Sequence, residues 1–395
     1  MIKVCIIMMQ PSTLNIGGCV MKELEMLKTA LKSHLPMNAA RLHCLVGIII
    51  ALLKVRTVNL TQIALAFPGK AKKDSKYKRI QRFFNSFSFD YAMIAKFVVM
   101  LIGIKDELWK LTIDRTNWKF GKININILFL GIAYKGAAFP IIWTLLPKRG
   151  NSNTKERIEL IDRFIEIFGV EKIDCLTGDR EFIGKKWYSY LIEKGIKFRL
   201  RIKENTLVTN SRGIPVHAKT LLRFLKPSQY CILEGKRSVL GLELFIIGLK
   251  QTNGEYVILG TDKDPEQAME DYKTRWEIET LFGCLKTRGF DFEATHLTDT
   301  ERIKKLVAVL AIAFCWCHIT GEWAQTQKPI KIKKHARKAV SIFRYGLDVL
   351  REILLDISEK IKDFKKMIDL LVKFIGSSDL DSKPMKQTDK FLSCT

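Results

Sequence analysis

What this chain lacks limits what it can do. No glycine-rich phosphate loop occurs in its 395 residues, so a nucleotide triphosphatase reading has no essential part to rest on, and no nucleotide cofactor is expected. No internal repeat and no long low-complexity segment interrupts a composition of 47% hydrophobic and 27% charged residues, that of an ordinary globular protein. The longest apolar runs, 44–53 and 306–317, fall short of the roughly 18 residues a bilayer span requires and read as buried helices. Residues 1–9 are apolar but brief, with one lysine and no small-residue cleavage site, so no signal peptide is expected. Nine cysteines, an odd number without regular spacing, read as free thiols. Among them, Cys315-Trp316-Cys317-His318 has no second ligand pair at zinc spacing and reads as core packing. These absences point to a cytoplasmic protein. Acid is also scarce: 41 Asp and Glu against 66 Lys and Arg leave a net charge of +25, which calls for a polyanionic partner, nucleic acid first and a membrane surface second.

Taken in order, the chain opens with two candidate starts, Met1 and Met21, the second preceding a better helical pattern over 22–32. An apolar helix over 39–54 leads to a short second helix, capped by Asn59 or Thr61 and stopped by Pro68-Gly69. A basic stretch follows, in which Lys70, Lys72, Lys73, Lys76, Lys78, Arg79 and Arg82 meet only one acid, Asp74, and Phe83, Phe84 and Phe87 supply an apolar side. This layout suits a helix-turn-helix-like unit that grips DNA mostly through phosphates.

Near 111 the texture turns strand-like. Segments 108–113, ending in Asp114, then 123–132 and 138–144 read as an antiparallel meander. A helix over 154–168, a strand over 173–177 ending at Gly178-Asp179-Arg180, and a helix over 182–194 complete the order of a ribonuclease-H-like core. Between 198 and 261 the pattern is alternating and turn-rich, a β insertion. A helix carries 272–286, a long apolar helix spans 301 to about 322, and a basic run (Lys328, Lys331, Lys333, Lys334, Arg337, Lys338) precedes an amphipathic helix over 339–374 and a polar tail. The expected organisation is a helical DNA-binding region over 1–105, core over 106–197, insertion over 198–262, the rest of the core over 263–325, and a helical region over 326–395 that either pairs with a second subunit or caps the core.

The segment 272–286, Y-K-T-R-W-E-I-E-T-L-F-G-C-L-K, organises the rest. At ~100° per residue, Tyr272, Arg275, Glu279 and Lys286 fall within roughly 60° of one another on a helix, beside an apolar stripe of Ile278, Leu281, Phe282 and Leu285. The spacing Tyr-x2-Arg-x3-Glu-x6-Lys resembles the signature of the IS-four family of bacterial DDE transposases, and Asp114-Arg-Thr-Asn-Trp118 and Gly178-Asp-Arg-Glu-Phe182 are similar to that family's blocks around its two aspartates. The resemblance covers about residues 108 to 290.

It implies a mixed α/β ribonuclease-H-like catalytic fold and a catalytic triad of Asp114, Asp179 and Glu279 holding two Mg²⁺, with Mn²⁺ as a substitute. Asp114 would bridge both ions, and Asp179 and Glu279 would each complete one site. The need is physical, since two hard cations about 3.5–4 Å apart serve both the attacking and the leaving oxygen of a phosphodiester. It further implies phosphate contacts from Tyr272, Arg275 and Lys286, with Arg180 and Trp276 as additional DNA-binding candidates and Arg201 and Lys203 behind them. The implied activity is transposition: binding of terminal inverted repeats, pairing of two ends in a homodimer, hydrolysis at each end, sometimes through a hairpin, and joining to target DNA. A nuclease that cuts without joining and a decayed DNA-binding remnant are the competing readings.

Overall fold

The computed structural model of the chain describes residues 16–104, 107–334 and 338–376. The expectations placed on 1–15, on Arg337 and on the tail from 377 lie outside the described residues. Five helices come first: α1 (Ile16–Lys32), α2 (Ala39–Val55), α3 (Leu60–Ala66), α4 (Lys73–Ser86) and α5 (Tyr91–Ile102). Asn59 caps α3 as its sequence position suggests, its side chain accepting from the amides of Thr61 and Gln62. Asp90 caps α5 in the same way, and Gly103 ends it in the left-handed conformation.

An eleven-stranded mixed sheet forms the centre, in the order β3-β2-β1-β4-β5-β11-β10-β9-β6-β7, with β8 against β10. Strands β1 (Trp109–Phe120), β2 (Ile123–Tyr134) and β3 (Ala137–Leu145) make the antiparallel meander. After α6 (Thr154–Phe168), β4 (Ile173–Gly178) pairs parallel to β1, and after α7 (Lys185–Glu193), β5 (Phe198–Ile202) pairs parallel to β4. This is a ribonuclease-H-like core, and it corrects two expectations. Strand β1 does not stop at Asp114 but runs on to Phe120, because β2 continues to pair with it there. Strand β5, expected to open the insertion, is a hydrogen-bonded member of the central sheet.

The remaining strands, β6 (Leu207–Thr209), β7 (Pro215–His217), β8 (Tyr230–Ile232), β9 (Arg237–Val239), β10 (Leu242–Lys250) and β11 (Tyr256–Thr261), with the single turn α8 (Ala218–Leu221), extend the same sheet rather than form a separate one, since β11 pairs antiparallel to β5. Helices α9 (Ala268–Lys273) and α10 (Trp276–Leu285) follow, then α11 (Thr300–Gln327), α12 (Ile342–Leu355) and α13 (Ile361–Gly376).

Helix α11 is longer than the uninterrupted apolar run suggests. At 28 residues it is long and apolar enough to cross a membrane, yet 94% of its most apolar 18-residue window is buried inside the protein. It packs on β3, α2, α5, α12 and α13. Cys315, Trp316, Cys317 and His318 lie in that core, where the Trp316 indole donates to the carbonyl of Met367. The crossing of α11 and α12 depends on glycine: a Cβ on Gly346 would lie 1.8 Å from the carbonyl oxygen of Cys317, and one on Gly321 1.9 Å from that of Ile342. The single helix expected over 339–374 is two, α12 and α13, separated at 356–360, and both pack back on the N-terminal helices.

Candidate active site

The sheet brings the two aspartates together. Ile113 pairs with Gly178 at the last rung between β1 and β4, so Asp114 and Asp179 are each the next residue along neighbouring strands. Gly178 lets the strands close up there: a Cβ would lie 2.8 Å from the Leu200 side chain and 3.1 Å from that of Ile113, so those side chains would have to shift. Strand alternation puts Trp109 and Ile113 on one face, which α6 covers through Phe164 at 6.0 Å from Trp109. Asp114 points to the other face. Its partner across the ladder, Phe129, shares that face and meets Phe282 of α10 at 5.5 Å. Phe282 is three residues, about one helical turn, from Glu279, so the third acid is carried over the same side of the sheet.

Burial is the main influence on Asp114, raising its carboxyl to about 7; the Arg115 amide, which donates to Oδ1 at 2.7 Å, and the charge of Arg275 oppose that rise. Asp179 has a buried Oδ1 without a hydrogen-bond partner among the described residues. Arg275 is the cation at the centre of the group. It acts electrostatically on Asp114, and its Nη1 donates to Glu279 at 2.8 Å.

The 272–286 stripe is broken rather than continuous. At Thr274 and Arg275 the helix tightens into i→i+3 bonds, with the amides of Arg275, Glu277 and Ile278 donating to the carbonyls of Tyr272, Thr274 and Arg275. Tyr272 therefore turns into a small apolar cluster with Ile247, Val257, Leu259 and Ala268; it is 5% exposed, and burial pushes its phenol up to about 12. Arg275 is 4% exposed and lies under the ring of Trp276 at 4.5 Å, while Trp276 itself is 56% exposed. Lys286 leaves the stripe altogether. It ends α10 with non-helical backbone, and its Nζ pairs with Glu293 at 2.7 Å over the ring of Trp118.

Several residues that pattern reading passes over hold this arrangement. Arg115 pairs with Glu181 at 3.2 Å and donates to Asn117, Asn126 and Asn151, tying the loop after Asp179 to β1. Arg157 of α6, buried, donates to Ser152 and to the carbonyl of Glu181 from behind the same loop. Arg199, fully buried on β5, donates to Asp271 at 3.0 Å, and Asp271 also takes Lys110 at 2.8 Å, which fixes α9 to the sheet. Glu277 accepts from the amide of Gly136 at the β2–β3 turn, docking α10 on that hairpin. The doublets Asp114-Arg115 and Arg180-Glu181 were the available signal for the first pair; the other contacts span too much sequence to leave one.

Of the basic candidates, Lys72, Lys73, Lys78 and Arg82 are exposed on or beside α4, and Lys76 and Arg79 are half-buried. Arg79 stacks on Phe67 at 5.6 Å, and together with Arg41 and Arg82 it lines a groove of about 390 Å³ floored by Phe83 and Phe87. Arg180 is exposed and makes no pair with Glu181, which Arg115 has taken. It lines a pocket of about 430 Å³ with Arg201, Lys203, Lys219 and Tyr256, so the weaker candidates on and beside β5 join it in one basic concavity.

Among the described residues, the only three metal-type ligand atoms within 4.8 Å of one another belong to Asp174, Cys175 and Asp271. That cluster is already balanced, since Lys197 pairs with Asp174 and both Arg199 and Lys110 pair with Asp271. The ligand atoms of Asp114, Asp179 and Glu279 do not lie that close together; what the three share is the charge of Arg275, and Oδ1 of Asp179 accepts no hydrogen bond from the described residues. Hard oxygen donors of this kind suit a divalent ion.

Fold and site together define a ribonuclease-H-like protein that carries one aspartate within β1 and a second just past the end of the neighbouring β4. A family described as "Transposase DDE domain" matches residues 110–316, and the chain belongs to that family. Its members are transposases that act on DNA with divalent metal ions. No curated protein matches the chain.

Proposed function

We propose that the chain is a cut-and-paste DNA transposase of the IS-four family, with Asp114, Asp179 and Glu279 as its catalytic, metal-holding residues. The observation that carries this reading is that two aspartates on adjacent strands and a helix-borne glutamate each interact with one arginine, Arg275. Two Mg²⁺, or Mn²⁺ in their place, would supply there a Lewis acid for the scissile phosphate and a lowered pKa for the attacking water. Hydrolysis frees a 3′ hydroxyl at the element's end. That hydroxyl then attacks a target phosphodiester and displaces a target 3′ oxygen; attack on the opposite strand instead closes a hairpin.

In this reading Arg275 and Tyr272 bind phosphate once Trp276 moves aside, and Lys286 adds a point charge. Arg180, Trp276, Arg201 and Lys203 extend the track, and the α4 lysines and arginines hold the inverted repeat. The helical region before β1 serves DNA binding, the sheet with α10 serves catalysis, and two copies pair the two ends in the cytoplasm. The test is strand transfer: a pre-cut end duplex with a free 3′ hydroxyl is incubated with a supercoiled target plasmid and Mg²⁺. Joined product supports transposition. Cutting of intact ends without any joining refutes it in favour of a nuclease. Single-turnover excision with no closed ends would remove the hairpin step.

A further inference from the structure

The roles proposed for Arg275 and Glu279 conflict in the structure, and the conflict is informative. One is to hold phosphate and the other metal, yet each is the partner of the other at 2.8 Å. The pair is lopsided: the Arg275 side chain is 5% exposed and that of Glu279 43%. Arg275 is thus a buried cation whose compensation is Glu279 as direct partner, the charges of Asp114 and Asp179, and the rings of Trp276 and Tyr272 at 4.5 and 5.6 Å. Its donors are not used up. Arg275 Nε and the hydroxyl of Tyr272 are both buried without a hydrogen-bond partner among the described residues. The unused Nε of the guanidinium, with the Tyr272 hydroxyl interacting next to it, lacks an acceptor, and a phosphate oxygen is one.

We propose that Arg275 is a built-in counter-ion that keeps Glu279 from its metal until a DNA phosphate takes the guanidinium in its place. The inference rests on the triad reading above and concerns the order in which that site fills. Without DNA, the positive charge facing Asp114 and Glu279 is the guanidinium, which both occupies the glutamate and repels a second cation. With DNA, phosphate satisfies the unused Nε, and Glu279, at the exposed end of the pair, is released to ligate. Metal loading is thereby coupled to substrate, and by reciprocity metal strengthens the grip on DNA. A transposase built this way is idle toward Mg²⁺ until an end is seated, which limits stray nicking.

The test reads metal binding and not turnover. Free Mn²⁺ is followed by electron paramagnetic resonance in titrations of the full chain as wild type, Arg275→Gln, Arg275→Met and Asp114→Asn, with melting curves to confirm folding. Met is the second neutral variant, suited to the slot between the Tyr272 and Trp276 rings. In the absence of DNA, the neutral variants are expected to bind Mn²⁺ about tenfold or more tighter than wild type. An end duplex, after subtraction of its own Mn²⁺, should tighten wild type by a larger factor than either variant. Neutral variants that bind no tighter than wild type, while Asp114→Asn loses the ion, would overturn the gate and leave the triad standing. With the end duplex present, equal Mn²⁺ binding in wild type and Asp114→Asn would overturn the triad and the gate with it.

Discussion

Asp271→Asn removes the counter-charge of a guanidinium that the sheet has closed over, and its cost follows from the burial of Arg199. That side chain has no exposed surface; Nε donates to Asp271 at 3.0 Å, and Nη1 donates to Thr261 Oγ1 and to the carbonyl of Lys263 at 2.6 Å. The last two acceptors survive in the variant, but neither balances the charge. Breaking a buried ion pair from one side costs about 3–5 kcal/mol. Loss of the second pair, with the 36% exposed side chain of Lys110, adds at most about 1 kcal/mol. Asparagine keeps an oxygen for the Nε bond, so about 3 kcal/mol is expected for Asp271→Asn and more for Asp271→Ala.

Urea unfolding of the full chain, followed by tryptophan fluorescence, measures the loss. The double variant Arg199→Met/Asp271→Leu should recover most of it, because two apolar side chains need no counter-charge. Asp271 also precedes Tyr272 and lies one helical turn before Arg275, so the single variant should lose metal-dependent cleavage well below its melting temperature. A loss under about 1 kcal/mol, or a double variant no more stable than the single one, would refute the reasoning.

The remaining predictions concern other parts of the molecule. Asp114 and Glu277 are both raised to about 7, chiefly by burial, from ordinary carboxyl values of 3.8 and 4.5. The unfolded chain releases these protons at lower pH than the folded one, so their contribution to stability is full below about pH 4 and falls as pH rises toward 7. Metal-free stability measured across that window should decline, and Asp114→Asn should flatten the decline. Neutralising Lys72, Lys73, Lys76 and Lys78 should weaken duplex binding and reduce the slope of log affinity against log salt by about 0.9 for each phosphate left without its lysine, read by fluorescence anisotropy. Gly346→Ala should cost more stability than a common surface change, since its Cβ would meet the Cys317 carbonyl at 1.8 Å and backbone cannot yield as a side chain does. A melting temperature equal to wild type would contradict the close crossing of α11 and α12.

Much of the fold is legible in local pattern. The meander, α6 and β4 follow from alternation and periodicity, and Asn59 is a cap wherever such a residue precedes a short apolar helix. Asp114 and Asp179 stand out because each follows an apolar run and opens a polar block. What pattern cannot carry is long-range pairing. The membership of β5 in the core sheet depends on its rungs to β4, between Leu176 and Phe198 and onward, and its residues alternate no differently from those of β10.

The break at Thr274 is hidden for a related reason: a helical wheel assumes one pitch, and a local change from i→i+4 to i→i+3 bonding leaves the composition of the stripe untouched. The four-residue spacing of Arg275 and Glu279 was visible as a possible i,i+4 pair, but spacing alone does not say whether two side chains face a common ligand or each other. Arg115, Arg157 and Arg199 look like three more cations in a basic chain. Only their partners, 24 to 72 residues away, distinguish them from solvated charge.

The central claim is that Asp114, Asp179 and Glu279 form one metal-dependent phosphodiester site. Its most direct measurement is an incubation of the purified chain with a duplex carrying one flanking end of its own gene, with Mg²⁺ or EDTA, wild type beside Glu279→Gln. The account predicts cutting at the repeat boundary by wild type with Mg²⁺ alone, and a variant that binds the same duplex with undiminished salt sensitivity but does not cut. Cutting by Glu279→Gln at the wild-type rate, or cutting by wild type in EDTA, would contradict it.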